Sequence, residues 1–239
     1  MTYYDSKQRT ELARAFLRAS AHHDVLNIRY YNKRRPDAVF ADALQMMGDL
    51  DREIRKAPDA ESLMTLEARV RKAYYACYDG FLLTDEFEFG TRTRRPPENE
   101  FNAMLSFGNT VLYNLIAVEI NKTALDVRVG FLHATNERLE SLNLDIAEIF
   151  KPLLIDRTIF SMINLGSIHT DHFCRDMKSV CLNGEGKHIF FSAFYDRLGS
   201  RITVGEKKMT YHQLIREEVF KLVRFFRDGT PYKAFWQVR

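Results

Sequence analysis

Residues 130–148 read Gly130-Phe131-Leu132-His133-Ala134-Thr135-Asn136-Glu137-Arg138-Leu139-Glu140-Ser141-Leu142-Asn143-Leu144-Asp145-Ile146-Ala147-Glu148. A short apolar run ends at His133, a polar loop follows, and a helix carrying Asp145 and Glu148 opens near Ser141. Asp145 and Glu148 are three residues apart, so a helix places both carboxylates on one face. An imidazole and two acids converging across one loop can bind a divalent metal, the carboxylates giving hard oxygens and the imidazole a borderline nitrogen. Solvated acids beside a core histidine have the same sequence pattern, and the local spacing does not separate the two.

Outward from this stretch the chain predicts helix. It has only 11 Gly and 6 Pro in 239 residues against 18 Phe and 11 Tyr, few breakers among many long side chains. Lys and Arg total 35 against 32 acids, so the +3 balance does not itself argue for a polyanionic partner and local clusters must do so. Cys77, Cys174 and Cys181 form no CxxC pair and are odd in number, which speaks against a zinc knuckle or disulfide framework and for a reduced, cytoplasmic setting. Met1-Thr2-Tyr3-Tyr4 leads straight into charged residues, without a signal-peptide core. The uncharged run from Phe101 to Val118 reaches membrane-span length but contains Asn102, Ser106, Asn109, Thr110 and Asn114, so it is read as a buried central helix and no membrane is expected.

In chain order, Asp5 or Ser6 caps a first helix whose seam is Leu12, Phe16, Ala19, His23, Leu26 and Tyr30, ending near Pro36. His23 on that seam is read as structural. The cluster Arg29-Tyr30-Tyr31-Asn32-Lys33-Arg34-Arg35 either complements the helix dipole or forms a phosphate-binding edge with rings for stacking. Asp37 caps a second helix to Lys56, with Val39, Phe40, Leu44, Met47 and Leu50 on its apolar face, and a third runs over 60–83 with Glu67 at the margin of its apolar face and Arg71 as an i+4 partner. In the loop 84–97, Arg92, Arg94 and Arg95 are spaced to grip phosphates, with Pro96-Pro97 stiffening the exit, or the loop is simply solvated, and composition does not separate the two. Helix 98–124 is apolar nearly all round; a helix from Ser141 stops at Lys151-Pro152; further helices are expected over 156–166, 188–198 and 211–228, with a turn at 183–187.

Five ordered segments match one family: residues 6–14; Ser62-Leu63-Met64-Thr65-Leu66-Glu67; Arg94-Arg95-Pro96-Pro97 leading to residues 102–108; Gly130-Phe131-Leu132-His133; and Ser141 to Glu148. The sequence resembles the helical catalytic domain of the CRISPR adaptation integrase, the subunit that inserts spacers into CRISPR arrays. The resemblance implies a mainly α fold, with 1–239 as one multi-helix catalytic domain and 183–239 a candidate weakly packed C-terminal subregion. No counterpart of the family's N-terminal β-rich domain is seen in the sequence, which puts the family's homodimer contact in doubt.

The resemblance also implies a metal-dependent DNA endonuclease and integrase in which Glu67, His133 and Glu148 hold catalytic Mg2+ or Mn2+ and Asp145 is an accessory acid. Arg92, Arg94, Arg95, Lys151 and Tyr113 would meet DNA. Asn102 and Ser106 fall in a motif bordering the site and are equally well read as helix-packing polar groups. Implied partners are double-stranded DNA, both protospacer and repeat, a second copy of the chain, and a small ferredoxin-like adaptation subunit. Thr65 and Ala68 stand where the family has glycines beside the metal-binding glutamate. Two other readings compete: a catalytically weak DNA-binding scaffold, and a di-iron bundle, for which Glu185 to His188 is the one Glu-x-x-His.

Overall fold

Asp5 begins the fold: its carboxylate accepts the N–H groups of Lys7 at 3.0 Å and Gln8 at 3.1 Å and caps α1, Ser6–Asn32. The computed structural model describes residues 5–34, 40–133, 140–177 and 179–238. The expected cap at Asp37, with Arg35, Pro36 and Val39, lies outside these residues.

The α1 seam holds through Leu12, Phe16, Ala19 and His23, all buried, and then drifts to Asn27, Ile28 and Tyr31, leaving Tyr30 46% exposed. An apolar repeat of 3.5 on a helix of 3.6 residues per turn rotates by about 20° per heptad, enough over this length to move the buried line. Alongside lie α2, Ala41–Lys56, and α3, Ala60–Tyr75, the latter capped by Asp59.

The helix expected to reach residue 83 stops at Tyr75 and resumes as the single turn α4, Tyr78–Phe81. That break turns Tyr78 and Phe81 inward against Phe101 and Phe160, while the Asp79 carboxylate accepts the N–H groups of Phe89 at 2.5 Å and Gly90 at 3.1 Å and ties down the arginine loop. Helix α5, Glu100–Asn121, is by length and composition apolar enough to cross a membrane, yet half of that window lies inside the fold, with Phe101, Met104, Leu112 and Ile116 in the core.

Helix α6, Leu142–Phe150, does not stop at Pro152. It widens into a π-helical segment, Lys151–Asp156, and continues as α7, Arg157–Asn164. Proline lacks an N–H but stands in the first turn of the wider segment, where no donor is required of it. Its carbonyl accepts the Asn27 amide at 2.8 Å, and Pro152 to Asp156 are all buried.

Two antiparallel hairpins escape the helical reading: β1, Phe173–Asp176, with β2, Ser179–Leu182, and β3, Arg201–Val204, with β4, Lys207–Thr210. Four-residue strands are too short to show a period. The first register sets Cys174 opposite Cys181, both free and exposed. The expected turn at 183–187 is instead the start of α8, Gly184–Gly199, because Asn183 caps it through Gly186 N–H at 2.8 Å. Gly186 fits there because a Cβ would stand 2.4 Å from the His172 carbonyl oxygen.

Helix α9, Tyr211–Asp228, ends in a Gly229 cap with φ of 68°. The tail beyond it returns over α1: Phe235 stacks on Phe150, and the Gln237 N–H donates to His23 Nε2 at 3.0 Å. Phe190, Phe194, Leu214, Val219 and Phe235 thereby join the same hydrophobic cluster as α1 to α7. The described chain is mainly helical, as the sequence predicts.

Candidate active site

The loop that begins the site is shaped by Gly130. A Cβ there would lie 2.8 Å from the Ser141 carbonyl carbon, so only glycine lets the chain pass against the start of α6. Ser141 Oγ accepts the Gly130 N–H at 2.8 Å and donates to the Arg128 carbonyl at 2.7 Å, which fixes the crossing.

Asp145, fully buried on α6, then gathers the loop. Its Oδ2 accepts the N–H groups of Phe131 at 2.5 Å and Leu132 at 3.0 Å, and its Oδ1 accepts the His133 N–H at 3.0 Å and Nδ1–H at 2.8 Å. One carboxylate thus sets both the backbone and the ring of His133. With Nδ1 committed as donor, Nε2 is the nitrogen left to accept, and it makes no hydrogen bond among the described residues. Burial opposes the imidazolium, but the Asp145 bond and the charges of Asp145 and Glu148 outweigh it and raise the His133 pKa.

Glu148 is buried one turn on, its carboxylate held by Arg71 and Lys151. Burial works against its charge, yet those two cations hold it below the usual carboxylate range. Arg71 itself is buried on α3 and also meets Glu67 at 3.5 Å, Asp24 at 3.6 Å and the Ser20 hydroxyl at 3.2 Å. Behind it, burial pushes Asp24 well above the ordinary range and raises Asp156 to about 6.

Glu67, His133 and Glu148 line one cavity of about 480 Å³, shared with Arg71, Lys151, Tyr113 and the arginine loop. Within it the expected DNA contacts separate into two kinds. Arg94 and Arg95 are exposed at its edge. Arg92 is locked in place: its guanidinium donates to the Thr93 carbonyl, to Asn102 Oδ1 at 2.9 Å and to Ser106 Oγ at 3.0 Å. Asn102, wholly buried, also donates to the Thr91 carbonyl at 2.8 Å, so Asn102 and Ser106 support the loop. Lys151 lies on the Glu148 carboxylate, with its ammonium 5.0 Å from the Tyr113 ring centre. Glu185 and His188 sit on the exposed first turns of α8, and the sequence has no second Glu-x-x-His to face them.

The donor set suits a divalent ion: two carboxylates and an imidazole whose other nitrogen is tied to a carboxylate, the arrangement that orients histidine ligands. Glu67 and Glu148 are turned toward Arg71 and Lys151, however, and among the described residues no three acid, His or Cys side chains stand close enough to share an ion.

Of the central residues, sequence reasoning gave Arg71 only as an i+4 partner of Glu67 and passed over Asp24. Ser20, Asp24 and Asn27 form a polar line at spacings of four and three along the buried face of α1, and such a line inside an apolar face signals an interior polar network.

The family model for CRISPR associated protein Cas1 matches residues 1–196. A CRISPR-associated endonuclease Cas1 of Thermodesulfovibrio yellowstonii is 36% identical over 237 residues, covering 98% of this chain and 71% of that protein. A solved CAS1 protein from Thermotoga maritima superposes with a TM-score of 0.83 at 31% identity, over 97% of this chain and 72% of the other. A casposase bound to an integration product superposes with a TM-score of 0.88 over 99% of this chain and 66% of the other, and at 22% identity that likeness speaks to the fold. With the family model spanning most of its length and its helices superposing on a solved member, the chain belongs to the Cas1 family of CRISPR-associated proteins.

Proposed function

We propose that the chain is a divalent-metal-dependent DNA endonuclease and integrase of CRISPR adaptation. It would insert protospacer DNA at a repeat by attack of a 3′ hydroxyl on a phosphodiester, one P–O bond forming as another breaks, with water as the nucleophile in hydrolysis. The observation that carries this reading is the cavity that joins Glu67, His133 and Glu148 to Tyr113, Lys151, Arg94 and Arg95.

Glu67, Glu148 and His133 Nε2 would hold Mg2+ or Mn2+, which supplies Lewis acidity toward a phosphodiester oxygen. Asp145 keeps the His133 ring in the tautomer that frees Nε2. Arg94 and Arg95 offer their guanidinium groups to the strand, and Lys151 lies where its ammonium can move from Glu148 toward a phosphate. Arg92 acts by holding the loop. Double-stranded DNA, a second copy of the chain and a small adaptation subunit are the partners this reading entails, in the cytoplasm.

The test is cleavage and strand transfer on branched DNA with manganese, magnesium or chelator, comparing wild type with His133→Ala and Glu148→Ala. Metal-dependent activity lost in both variants is expected; activity that survives either substitution refutes the site. The engagement of both carboxylates by Arg71 and Lys151 favours one alternative, a DNA-holding scaffold with little chemistry of its own. That reading requires salt-dependent DNA binding without turnover, unchanged in the same variants.

A further inference from the structure

A second cavity, of about 460 Å³, opens between the C-terminal end of α1, α7 and α8, and shares no lining residue with the acid cavity. Three arginines line it, Arg34, Arg157 and Arg197, and among the described residues neither Asp nor Glu does. The volume is within the usual range for a small-molecule site.

Each arginine is held by neutral groups. Arg157 Nε donates to Asn27 Oδ1 at 2.6 Å, and the buried Asn27 is itself fixed, its amide donating to the Tyr74 hydroxyl at 2.7 Å and the Pro152 carbonyl at 2.8 Å. Arg157 also meets the Tyr211 hydroxyl. Arg197 Nε donates to Thr158 Oγ1 at 3.1 Å and its Nη2 to the Arg157 carbonyl at 3.4 Å. The Arg34 guanidinium carbon sits over the Tyr30 ring, 3.6 Å from its centre. Among the described residues none of the three forms an ion pair, including with Asp196, which lines the neighbouring groove beside Arg197.

Two half-buried guanidinium groups side by side, with no counter-charge among the described residues, are unfavourable unless something compensates them. Burial and then the charge of Arg157 lower the Arg197 pKa, the signature of such a strained pair. Guanidinium forks match phosphate oxygens in pairs, and an arginine placed over a tyrosine ring in the lining suits a planar base.

We propose that this pocket binds a nucleotide, its phosphate taken by Arg157 and Arg197 and its base placed against Arg34 and Tyr30. The nucleotide is either free or the end of a DNA strand, since both present the same chemistry. The site is separate from the acid cavity and does not depend on the reaction there.

Isothermal titration of the full chain tests this with dAMP, deoxyadenosine and a 5′-phosphorylated single strand of about ten nucleotides. Saturable binding of dAMP or of the strand is expected, with deoxyadenosine weaker by at least about tenfold because it lacks the phosphate. Tighter dAMP than strand assigns a free nucleotide, and tighter strand binding that Arg197→Gln and Arg34→Gln weaken assigns a strand end. Arg197→Gln and Arg34→Gln each weaken the better probe by about tenfold or more, while Arg95→Gln leaves dAMP binding unchanged. Arg34 is exposed, so its variant decides the matter if Arg197→Gln does not fold. No saturable binding of either probe, equal binding in both arginine variants, or loss confined to Arg95→Gln overturns the proposal.

Discussion

In the acid cavity the buried cations have carboxylates beside them, Arg71 with Glu148, Glu67 and Asp24, and Lys151 with Glu148, whereas in the pocket between α7 and α8 Arg157 and Arg197 lie together among neutral partners. The first arrangement makes charge part of the framework, because removing one member strands the others in the interior. The second leaves positive charge that the fold does not need. The contrast separates groups kept for folding from groups available to a ligand.

The sharpest way to break this contrast is to remove one cation from each cavity. Arg71→Met leaves Glu148 and Asp24 without their shared cation and is expected to cost about 3–5 kcal/mol in urea denaturation. Arg197→Met removes an unpaired charge and is expected to stay within about 1 kcal/mol of wild type, or to gain stability. Equal losses from the two would erase the distinction.

Much of this site was legible in the sequence, and the boundary is instructive. The capped start at Asp5, the central place of α5, and the convergence of His133 with Asp145 and Glu148 all rest on local spacing and composition, which sequence carries directly. Glu67 came only through family resemblance, because nothing local distinguishes a marginal glutamate with an i+4 arginine from a surface pair. The role of Arg71 was hidden for the same reason: its partners come from α1 and α6, 47 to 77 positions away, and only packing brings them together. The Arg92 lock was similarly invisible, since an arginine in a polar loop looks free until Asn102 and Ser106 are seen beneath it. At Pro152 a sound local rule failed because a π-helical segment, buried on every residue from 152 to 156, absorbs the missing donor.

A smaller effect sharpens the framework side. Asp145 receives four hydrogen bonds from the His133 loop, and Asp145→Asn replaces an acceptor-only group with one that presents N–H to N–H. Stability should fall by about 2–3 kcal/mol. Manganese affinity, read by the paramagnetic resonance of the free ion, should fall by roughly 10–100-fold as the histidine loses its orientation. Unaltered manganese affinity in a folded variant would detach Asp145 from the proposed ligand set.

Protonation offers a third comparison, because His23 is a buried group kept neutral. Its Nδ1–H donates to the Ile149 carbonyl at 2.8 Å, its Nε2 accepts the Gln237 N–H, and burial lowers its pKa to about 3 from 6.5. Between those values the unfolded chain takes a proton that the folded protein excludes, so stability falls as pH drops below 6.5 and is unaffected above it. The His23 contribution from pH 7 to 5 is a loss of about 2 kcal/mol. His23→Gln lowers stability overall but should flatten the pH profile by that amount, and identical profiles in the two proteins would mean that His23 is not the group excluded.

The smallest expected effect concerns Thr65 and Ala68, the two positions where the sequence resemblance implies glycines. Thr65 and Ala68 are both exposed on α3, and the Thr65 hydroxyl donates back to the Glu61 carbonyl at 3.3 Å, so neither side chain presses on the core. Glycine in place of Ala68 adds backbone freedom to the unfolded chain and gives nothing back in packing, a loss of about 1 kcal/mol in thermal or urea denaturation. Ala68 also lines the groove that joins Glu67 and Arg71 to Arg92 and Arg94, so its methyl stands near any strand approaching Glu67. If charge pairing governs the cavity, Ala68→Gly should change strand-transfer rate by less than about threefold, because the carboxylates and their cations are untouched. A gain of tenfold or more, about 1.4 kcal/mol in the barrier, would show instead that the methyl group obstructs the substrate, and the limit on activity would then lie in the shape of α3 rather than in the hold of Arg71 on Glu148 and Glu67.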